Sequence, residues 1–291
     1  IPAHGAFDVE AILDACQAES VVALTIVGDA MATPIADALQ ANPDRWDLSG
    51  LFVIASGGAV LSPAVKTRLL DLLPGKMIVD GLGSSETGIM GNKTSGMGEE
   101  EIAEPRFTVG EHVQVLDDDL QPIAPGSGIV GKLARGGHVP LGYYNAPEKS
   151  AETFVEVDGK RWSLPGDLAT VEADNTVLLL GRGSTSINSG GEKIFPEEVE
   201  EAVKSHPDVF DCLVVDTPDE RFGSKVTAVV ATRGDAPVTL EAIQEEARKH
   251  VAGYKVPREL HVVAEIPRAP SGKPAYPRAK EMALTGDFRV A

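Results

Sequence analysis

The chain has 291 residues, with 44 Asp and Glu against 26 Lys and Arg, a formal net charge of −18 at pH 7. With 43% apolar and 24% charged residues it is globular rather than disordered, and the length suits two domains or three. Such acidity argues against a nucleic-acid partner or an anionic membrane surface, though not against a pocket for one anionic ligand. Cys16 and Cys212 lie far apart, which makes neither a disulfide framework nor a metal cluster and points to a reducing cytoplasm. The longest apolar runs, such as Val21 to Val27, are too short to cross a bilayer, and the given residues do not open on a basic stretch followed by an apolar one. Ile1-Pro2 reads as the lead-in to a helix within a longer polypeptide.

In chain order, Val9, Ile12, Leu13 and Cys16 keep the helical period. Val21 to Val27 reads as a buried strand, Pro34 to Leu39 as a helix and Leu51 to Ala55 as a strand. Ser62 as N-cap and Pro63 at the first helical position open a helix that should run to Leu73, stopped by Pro74-Gly75. Met77 to Val79 is the next strand, and this alternation predicts a mostly parallel α/β sheet. Gly96 to Glu104 is polar and acidic, and is expected to be a loop. From Thr108 to Leu180 short strands (His112–Leu116, Gly131–Ala134, Val177–Leu180) between turn residues predict a small β-rich barrel or sandwich. Beyond Arg182, a helix from Pro196, strands at 212–215 and 225–231, a helix from Leu240 to Val251 and a strand at 260–263 predict a compact α+β domain.

Five segments carry candidate chemistry. Ser56-Gly57-Gly58-Ala59 follows a strand, and its glycines allow close approach to a flat ligand or phosphate; a tight strand-to-helix turn explains them equally well. Asp80-Gly81-Leu82-Gly83-Ser84-Ser85-Glu86-Thr87-Gly88 combines glycines, hydroxyls and a carboxylate at a strand end, a set that fits a phosphate with hydrated Mg²⁺; a polar turn with a solvated Glu86 has equal weight on these residues alone. Gly166-Asp167 and Gly181-Arg182 fit a ribose-binding Asp with an Arg behind it, though a surface ion pair explains them as well. Gly190-Gly191 before Glu192-Lys193-Ile194 exceeds what a helix cap needs. Ser271-Gly272-Lys273, between prolines, presents a lysine on a rigid loop without the spaced glycine of a Walker loop. Taken singly, that lysine is a solvated surface charge.

Together and in this order, the segments resemble the adenylate-forming superfamily of acyl-CoA synthetases, peptide-synthetase adenylation domains and luciferases, most of all its bacterial fatty-acyl-CoA synthetases. The resemblance spans essentially the whole chain. Gly57-Gly58-Ala59 is similar to the family's adenine-side loop, and Gly83-Ser84-Ser85-Glu86 to its tyrosine-glycine-x-threonine-glutamate motif. Gly131 to Gly136 and Gly142-Tyr143-Tyr144 are similar to its next motif, Asp167 to the ribose-binding aspartate, Gly181-Arg182 through Gly190-Gly191 to the hinge and the start of the C-terminal domain, and Ser271-Gly272-Lys273 to the catalytic-lysine motif. Leu82 stands where the family often has an adenine-stacking aromatic, Pro165 where it often has Thr, and Ser184 where the hinge often has Asp or Lys. The family's Ser/Thr/Gly-rich phosphate loop has no counterpart here.

The resemblance implies an α/β subdomain end over 1–107, a β-rich subdomain over 108–181 and a mobile α+β lid over 182–291, hinged near 182–185. It implies ATP, Mg²⁺ and coenzyme A as cofactors and a lipid-like carboxylic acid as substrate. Lys273 would stabilise adenylation, Glu86 would hold Mg²⁺, Ser84 and Ser85 would bind phosphate, Asp167 and Arg182 the ribose, and Gly190-Gly191 would line the pantetheine channel. Transfer of the acyl group to a carrier protein, or a non-catalytic nucleotide- or acyl-binding fragment, are the alternatives.

Overall fold

The computed structural model describes residues 7–96, 105–234 and 236–287. The acidic stretch expected as a loop lies outside these from residue 97 onward, as does the Ile1-Pro2 lead-in. The chain divides into two compact units, Ile1–Leu179 and Leu180–Ala291.

The first unit opens with α1 (Val9–Ala18), where Asp8 caps the helix by accepting from the Ala11 N–H at 3.1 Å. Then β1 (Ala23–Ile26), α2 (Gly28–Ala41), β2 (Val53–Gly57), α3 (Pro63–Leu72) and β3 (Met77–Ser84) alternate as expected. β1, β2 and β3 pair in parallel, with Ile26 opposite Ser56 and Ser56 opposite Asp80. Leu13, Ile35, Leu69 and Ile78 are buried together between these strands and the three helices. α2 starts six residues before the expected Pro34. That proline is tolerated inside the helix, at the cost of one backbone hydrogen bond, rather than marking its first turn.

The sheet is not mostly parallel. β4 (Gly88–Gly96) returns antiparallel on β3, and β5 (Arg106–Val109) follows antiparallel on β4. The later strands are β6 (Val113–Leu116), β7 (Gly131–Gly136), β8 (Phe154–Val157), β9 (Lys160–Ser163), β10 (Asp167–Val171) and β11 (Val177–Arg182); a short helix α4 (Pro147–Thr153) precedes β8. They continue the same pairing path, so that among the described residues one mixed sheet of 11 strands runs β1-β2-β3-β4-β5-β11-β10-β7-β9-β8, with β6 on β7. Leu82, Met90, Phe107, Leu133 and Val177 form the apolar core of this half.

The second unit holds a two-stranded ribbon, β12 (Ile187–Ser189) with β13 (Glu192–Ile194), and a three-stranded sheet, β14 (Val209–Asp219), β15 (Gly223–Thr232) and β16 (Glu259–Val263). Helices α5 (Pro196–Lys204), α6 (Leu240–Ala247) and α7 (Tyr276–Thr285) accompany them. The alternation of a strand sets two faces on β14. Cys212 and Val214 pack with Val199 and Ile243; Leu213 and Val215 pack with Ile266, Ala279 and Met282. α6 ends at Ala247, short of the expected Val251, though Val251 still packs against Ala247 and Val256.

Candidate active site

In the first unit, the parallel register of β2 and β3 sets Ser56 opposite Asp80 and Gly57 opposite Gly81. The glycine loop Gly57-Gly58-Ala59 therefore leaves β2 beside Gly81, while β3 runs on past it to Ser84. The segment from Gly81 to Glu86 does not leave a strand end, as the sequence suggested. Residues 80–84 belong to β3, and Ser85, Glu86 and Thr87 form the turn of a hairpin into β4.

That turn is closed by hydroxyls. The Ser84 N–H donates to Thr87 Oγ1 at 3.0 Å, the Glu86 N–H donates to Ser84 Oγ at 3.3 Å, and the Thr87 N–H donates to the Ser84 carbonyl at 3.3 Å. Ser85 is exposed at the tip, while the Glu86 carboxylate is half-buried. Tyr143, from the segment after β7, donates its hydroxyl to Glu86 Oε1 at 2.8 Å. The ring is fixed by Phe154 at 5.5 Å and by the Lys149 ammonium 4.4 Å from its centroid. Glu86 and the Gly142-Tyr143-Tyr144 motif thus meet across 57 residues of sequence. The pairing was not foreseen; its sequence signal is an aromatic placed directly after a motif glycine.

Leu82 is only 7% exposed and packs with Met90, Phe107 and Leu133, so its side chain is committed to the core rather than presented to a ligand. Asp167 is the first residue of β10, half-buried, and its neighbour Leu168 pairs with Lys132 of the Gly131–Gly136 motif.

A buried polar cluster lies beneath the glycine loop. Asp29, at the start of α2, accepts from the Ser62 N–H at 2.8 Å and the Ser62 hydroxyl at 3.1 Å, so that hydroxyl does not cap its own helix α3. The Asp29 N–H donates to the Val60 carbonyl at 3.0 Å, and the Gly28 N–H donates to Ser56 Oγ at 3.3 Å. Gly28 has φ +55°, and a Cβ there would sit 2.3 Å from the Val60 oxygen, so only glycine fits. Lys66 of α3 pairs with Asp80 of β3 at 2.5 Å, both buried. Burial raises the Asp80 carboxyl above its usual range although Lys66 and Lys93 pull it down.

In the second unit, Gly181 and Arg182 end β11, with Arg182 exposed, and Ser184 lies in a single 3₁₀ turn, Gly183–Thr185. Gly190 (φ 62°) and Gly191 (φ 90°) are the two-residue turn between β12 and β13 rather than a lead into helix α5. Positive φ at both positions is what a tight hairpin of this twist demands, and that explains the pair. Lys273 is exposed on the returning arm of a short loop, one residue before the Arg268–Pro274 bridge that closes it. The Ala269 N–H donates to the Lys273 carbonyl at 2.9 Å and the Gly272 N–H to the Ala269 carbonyl at 2.8 Å, with Gly272 at φ +80°. Of the expected site residues, Gly57 pairs beside Gly81 in the first unit, with Glu86 in the turn beyond β3 and Asp167 on β10; in the second, Arg182 ends β11, Gly190-Gly191 make a hairpin turn and Lys273 lies on a separate loop.

The first unit fits a hydrated Mg²⁺ bound together with phosphate. Glu86 offers a carboxylate among hydroxyls, and Mg²⁺ takes one or two carboxylates plus substrate oxygens and water. Among the described residues no group of three or more His, Cys, Asp or Glu could hold a metal by itself. Among them, too, no helix is long and apolar enough to cross a membrane, and both cysteines are free and buried.

Residues 1–144 match the sequence model of the AMP-binding enzyme family, and residues 198–273 match that of the AMP-binding enzyme C-terminal domain. A 3-oxocholest-4-en-26-oate–CoA ligase of Rhodococcus rhodochrous is 55% identical over 260 residues, 88% of this chain and 47% of that protein. A medium/long-chain-fatty-acid–CoA/3-oxocholest-4-en-26-oate–CoA ligase of Mycolicibacterium smegmatis is 49% identical over 279 residues, 95% of this chain and 51% of that protein. The chain thus spans about half the length of the curated relatives it matches. The solved structure of the amide bond synthetase McbA from Marinactinospora thermotolerans aligns with 95% of this chain and 55% of its own, at TM-score 0.79 and 25% identity. That of the anthranilate CoA ligase AuaEII in complex with anthranoyl-AMP shares the fold at TM-score 0.79 and 23% identity, covering 97% of this chain and 52% of its own. With both family models in their expected order and relatives at this identity, the chain belongs to the AMP-binding, adenylate-forming enzymes.

Proposed function

We propose that this chain carries the adenylate- and thiol-handling parts of an ATP-dependent acyl-CoA synthetase, an acid–thiol ligase acting on a lipid-like carboxylic acid. The observation that supports the reading is the hydroxyl-lined turn beyond β3, where the Tyr143 hydroxyl donates to the Glu86 carboxylate, on the strand whose Gly81 pairs with Gly57 of the glycine loop. The names of the relatives support a fatty or steroid side-chain acid as the substrate class.

Two half-reactions follow from this reading. A carboxylate oxygen attacks the α-phosphorus of ATP, forming acyl-AMP and releasing pyrophosphate. The CoA thiolate then attacks the acyl carbon and AMP departs. The first step joins two anions, so a fixed cation is the need. Lys273 supplies it as a point charge between carboxylate and α-phosphate. Ser84 and Ser85 bind phosphate oxygens, Asp167 holds the ribose with Arg182, and Gly57 to Ala59 and Gly81 to Gly83 border the adenine. Glu86, steadied by Tyr143, would hold Mg²⁺, which neutralises phosphate charge. In the second step the 182–291 lid turns about the segment 182–185, withdraws Lys273 and presents the Gly190-Gly191 turn to the pantetheine arm. The finer division into 1–107, 108–181 and 182–291, and a cytoplasmic location, belong to the same proposal.

The test is thioester formation from ATP, Mg²⁺, CoA and a panel of fatty, aromatic and steroid side-chain acids. It compares this 291-residue chain with the full natural polypeptide that contains it. Acyl-CoA from one acid class is the expected result. Acyl transfer only to a carrier protein would redirect the acceptor, and no AMP from any acid would favour a binding module. In the active protein, Lys273→Ala should lower acyl-AMP formation about 10²-fold or more while sparing CoA transfer from preformed acyl-AMP. An equal fall in both half-reactions would remove the role given to Lys273.

A further inference from the structure

The loop that carries Lys273 is held at its base by a side chain with no role so far. Arg268 lies four residues before the loop glycine, and its guanidinium Nη1 donates to the Gly272 carbonyl at 3.0 Å. The same guanidinium donates from Nε at 3.2 Å and from Nη2 at 2.5 Å to Asp211 Oδ2. Asp211 Oδ1 in turn accepts from the Cys212 N–H at 2.9 Å. Asp211 sits on β14 just after an irregularity in its pairing with β15, where Val209 faces Thr232 and Asp211 already faces Ala231. The extra residue, Phe210, lies between them. Asp211 belongs to the alternation of Leu213 and Val215, whose face α7 covers.

The ion pair is shielded: the side chains of Arg268 and Asp211 are 20% and 11% exposed. A pair so placed is screened far less than a surface bridge. Its geometry uses the planar fork of arginine, with one edge on a carboxylate and another nitrogen on a carbonyl, which a lysine ammonium cannot reproduce. Two backbone bonds complete the base of the loop and make the antiparallel bridge between Arg268 and Pro274: the Ala275 N–H donates to the Pro267 carbonyl at 3.1 Å and the Ala269 N–H to the Lys273 carbonyl at 2.9 Å. Gly272, held directly by Arg268, precedes Lys273.

We propose that Arg268, anchored by Asp211, is a positioning residue that fixes the backbone of the lysine loop and so places Lys273 for acyl-adenylate formation. The proposal rests on the adenylation role given to Lys273 above. A residue that merely supports the fold would lower the active fraction and depress both half-reactions together. A residue that aims Lys273 affects only the half-reaction that uses the lysine, and a misplacement of about 1 Å can cost 10²-fold.

The test measures both half-reactions in the full natural polypeptide. Acyl-AMP formation is followed from ATP and the best-used acid, and CoA transfer from the corresponding preformed acyl-AMP. Arg268→Ala should lower acyl-AMP formation about 10²-fold and leave CoA transfer within about threefold. Arg268→Lys and Asp211→Asn, which retain part of the contact set, should fall between. Amide hydrogen exchange gives a readout free of activity: exchange at Ala269 and Gly272 should quicken in Arg268→Ala, while exchange at Val229, in the middle of β15, does not. Equal loss in both half-reactions, unchanged acyl-AMP formation, or Val229 exchange rising in step with the loop would overturn the proposal. Lys273→Ala separates the two levels. If it abolishes acyl-AMP formation while Arg268→Ala does not, only the brace fails; if it spares acyl-AMP formation, the lysine assignment fails first and the brace with it.

Discussion

Glu200, on α5, is 6% exposed, and its carboxyl is pushed up to about 8. Burial is the main cause, and repulsion from Glu197 adds to it. Lys204, the Val214 N–H at 2.9 Å and the Tyr276 hydroxyl at 3.3 Å pull the other way. Tyr276 is itself driven well above the usual tyrosine range by burial, so it stays a neutral donor. The folded protein therefore keeps a proton on Glu200 that the unfolded chain releases near pH 4.3. Below about pH 4.3 both states hold the proton and nothing is lost. From there up to about 8 the folded state loses stability relative to the unfolded one, by at most about 1.4 kcal/mol per pH unit, and above 8 the loss levels off. Chemical denaturation between pH 5 and 8 should show the midpoint falling as pH rises, with a shallower fall in Glu200→Gln. Identical slopes for the two proteins would mean that Glu200 is already ionised in the fold.

At the scale of elements, the hairpin of β12 and β13 shows what a sequence motif can conceal. Gly190-Gly191 is legible in the sequence as a loop with more glycine than a cap requires. The reason for the pair, two successive positive φ angles with Phe222 Cδ1 only 3.0 Å from where a Cβ at Gly190 would stand, needed the backbone. Gly190→Ala combined with Gly191→Ala should destabilise the second unit by about 1–3 kcal/mol, read as a lower thermal midpoint. Because the turn is also assigned to the pantetheine channel, CoA transfer should fall while acyl-AMP formation holds. A midpoint within error of the parent would contradict the strain argument. Similar reasons separate the other elements that were read from those that were missed. α1, α3 and β1 to β3 carry apolar periodicity over a buried face and were found within a few residues. β4 (Gly-Ile-Met-Gly-Asn-Lys-Thr-Ser-Gly) and β9 (Lys-Arg-Trp-Ser) are polar or glycine-rich strands held by sheet neighbours, so local pattern gave no sign of them. The pairings Tyr143 with Glu86, Asp29 with Ser62 and Arg268 with Asp211 join residues 33 to 57 positions apart. Each residue alone reads as an ordinary polar side chain, and only the fold brings the partners together.

Over the whole molecule, each unit has apolar cores of its own. Ile187, Val199, Val214, Val230 and Ile243 make one in the second unit, and Leu213, Val229, Ile266 and Met282 another, both closed within residues 180–291. A unit of this size with its own core is expected to fold alone. Residues 180–291 produced separately should unfold cooperatively with dispersed amide resonances; a broad transition with collapsed resonances would show that the first unit is required. Such independence bears on the lysine loop. Its base is braced wholly from within the second unit, by Asp211 on one side and Gly272 on the other. The conformational entropy of the loop backbone, about 1–2 kcal/mol per residue, is therefore lost once, during folding, and not again at each turnover. Under the proposed mechanism only the torsions of the exposed Lys273 side chain, worth about 2 kcal/mol, remain to be frozen when carboxylate and phosphate meet. A loop ordered in this way can leave and return many times without being rebuilt.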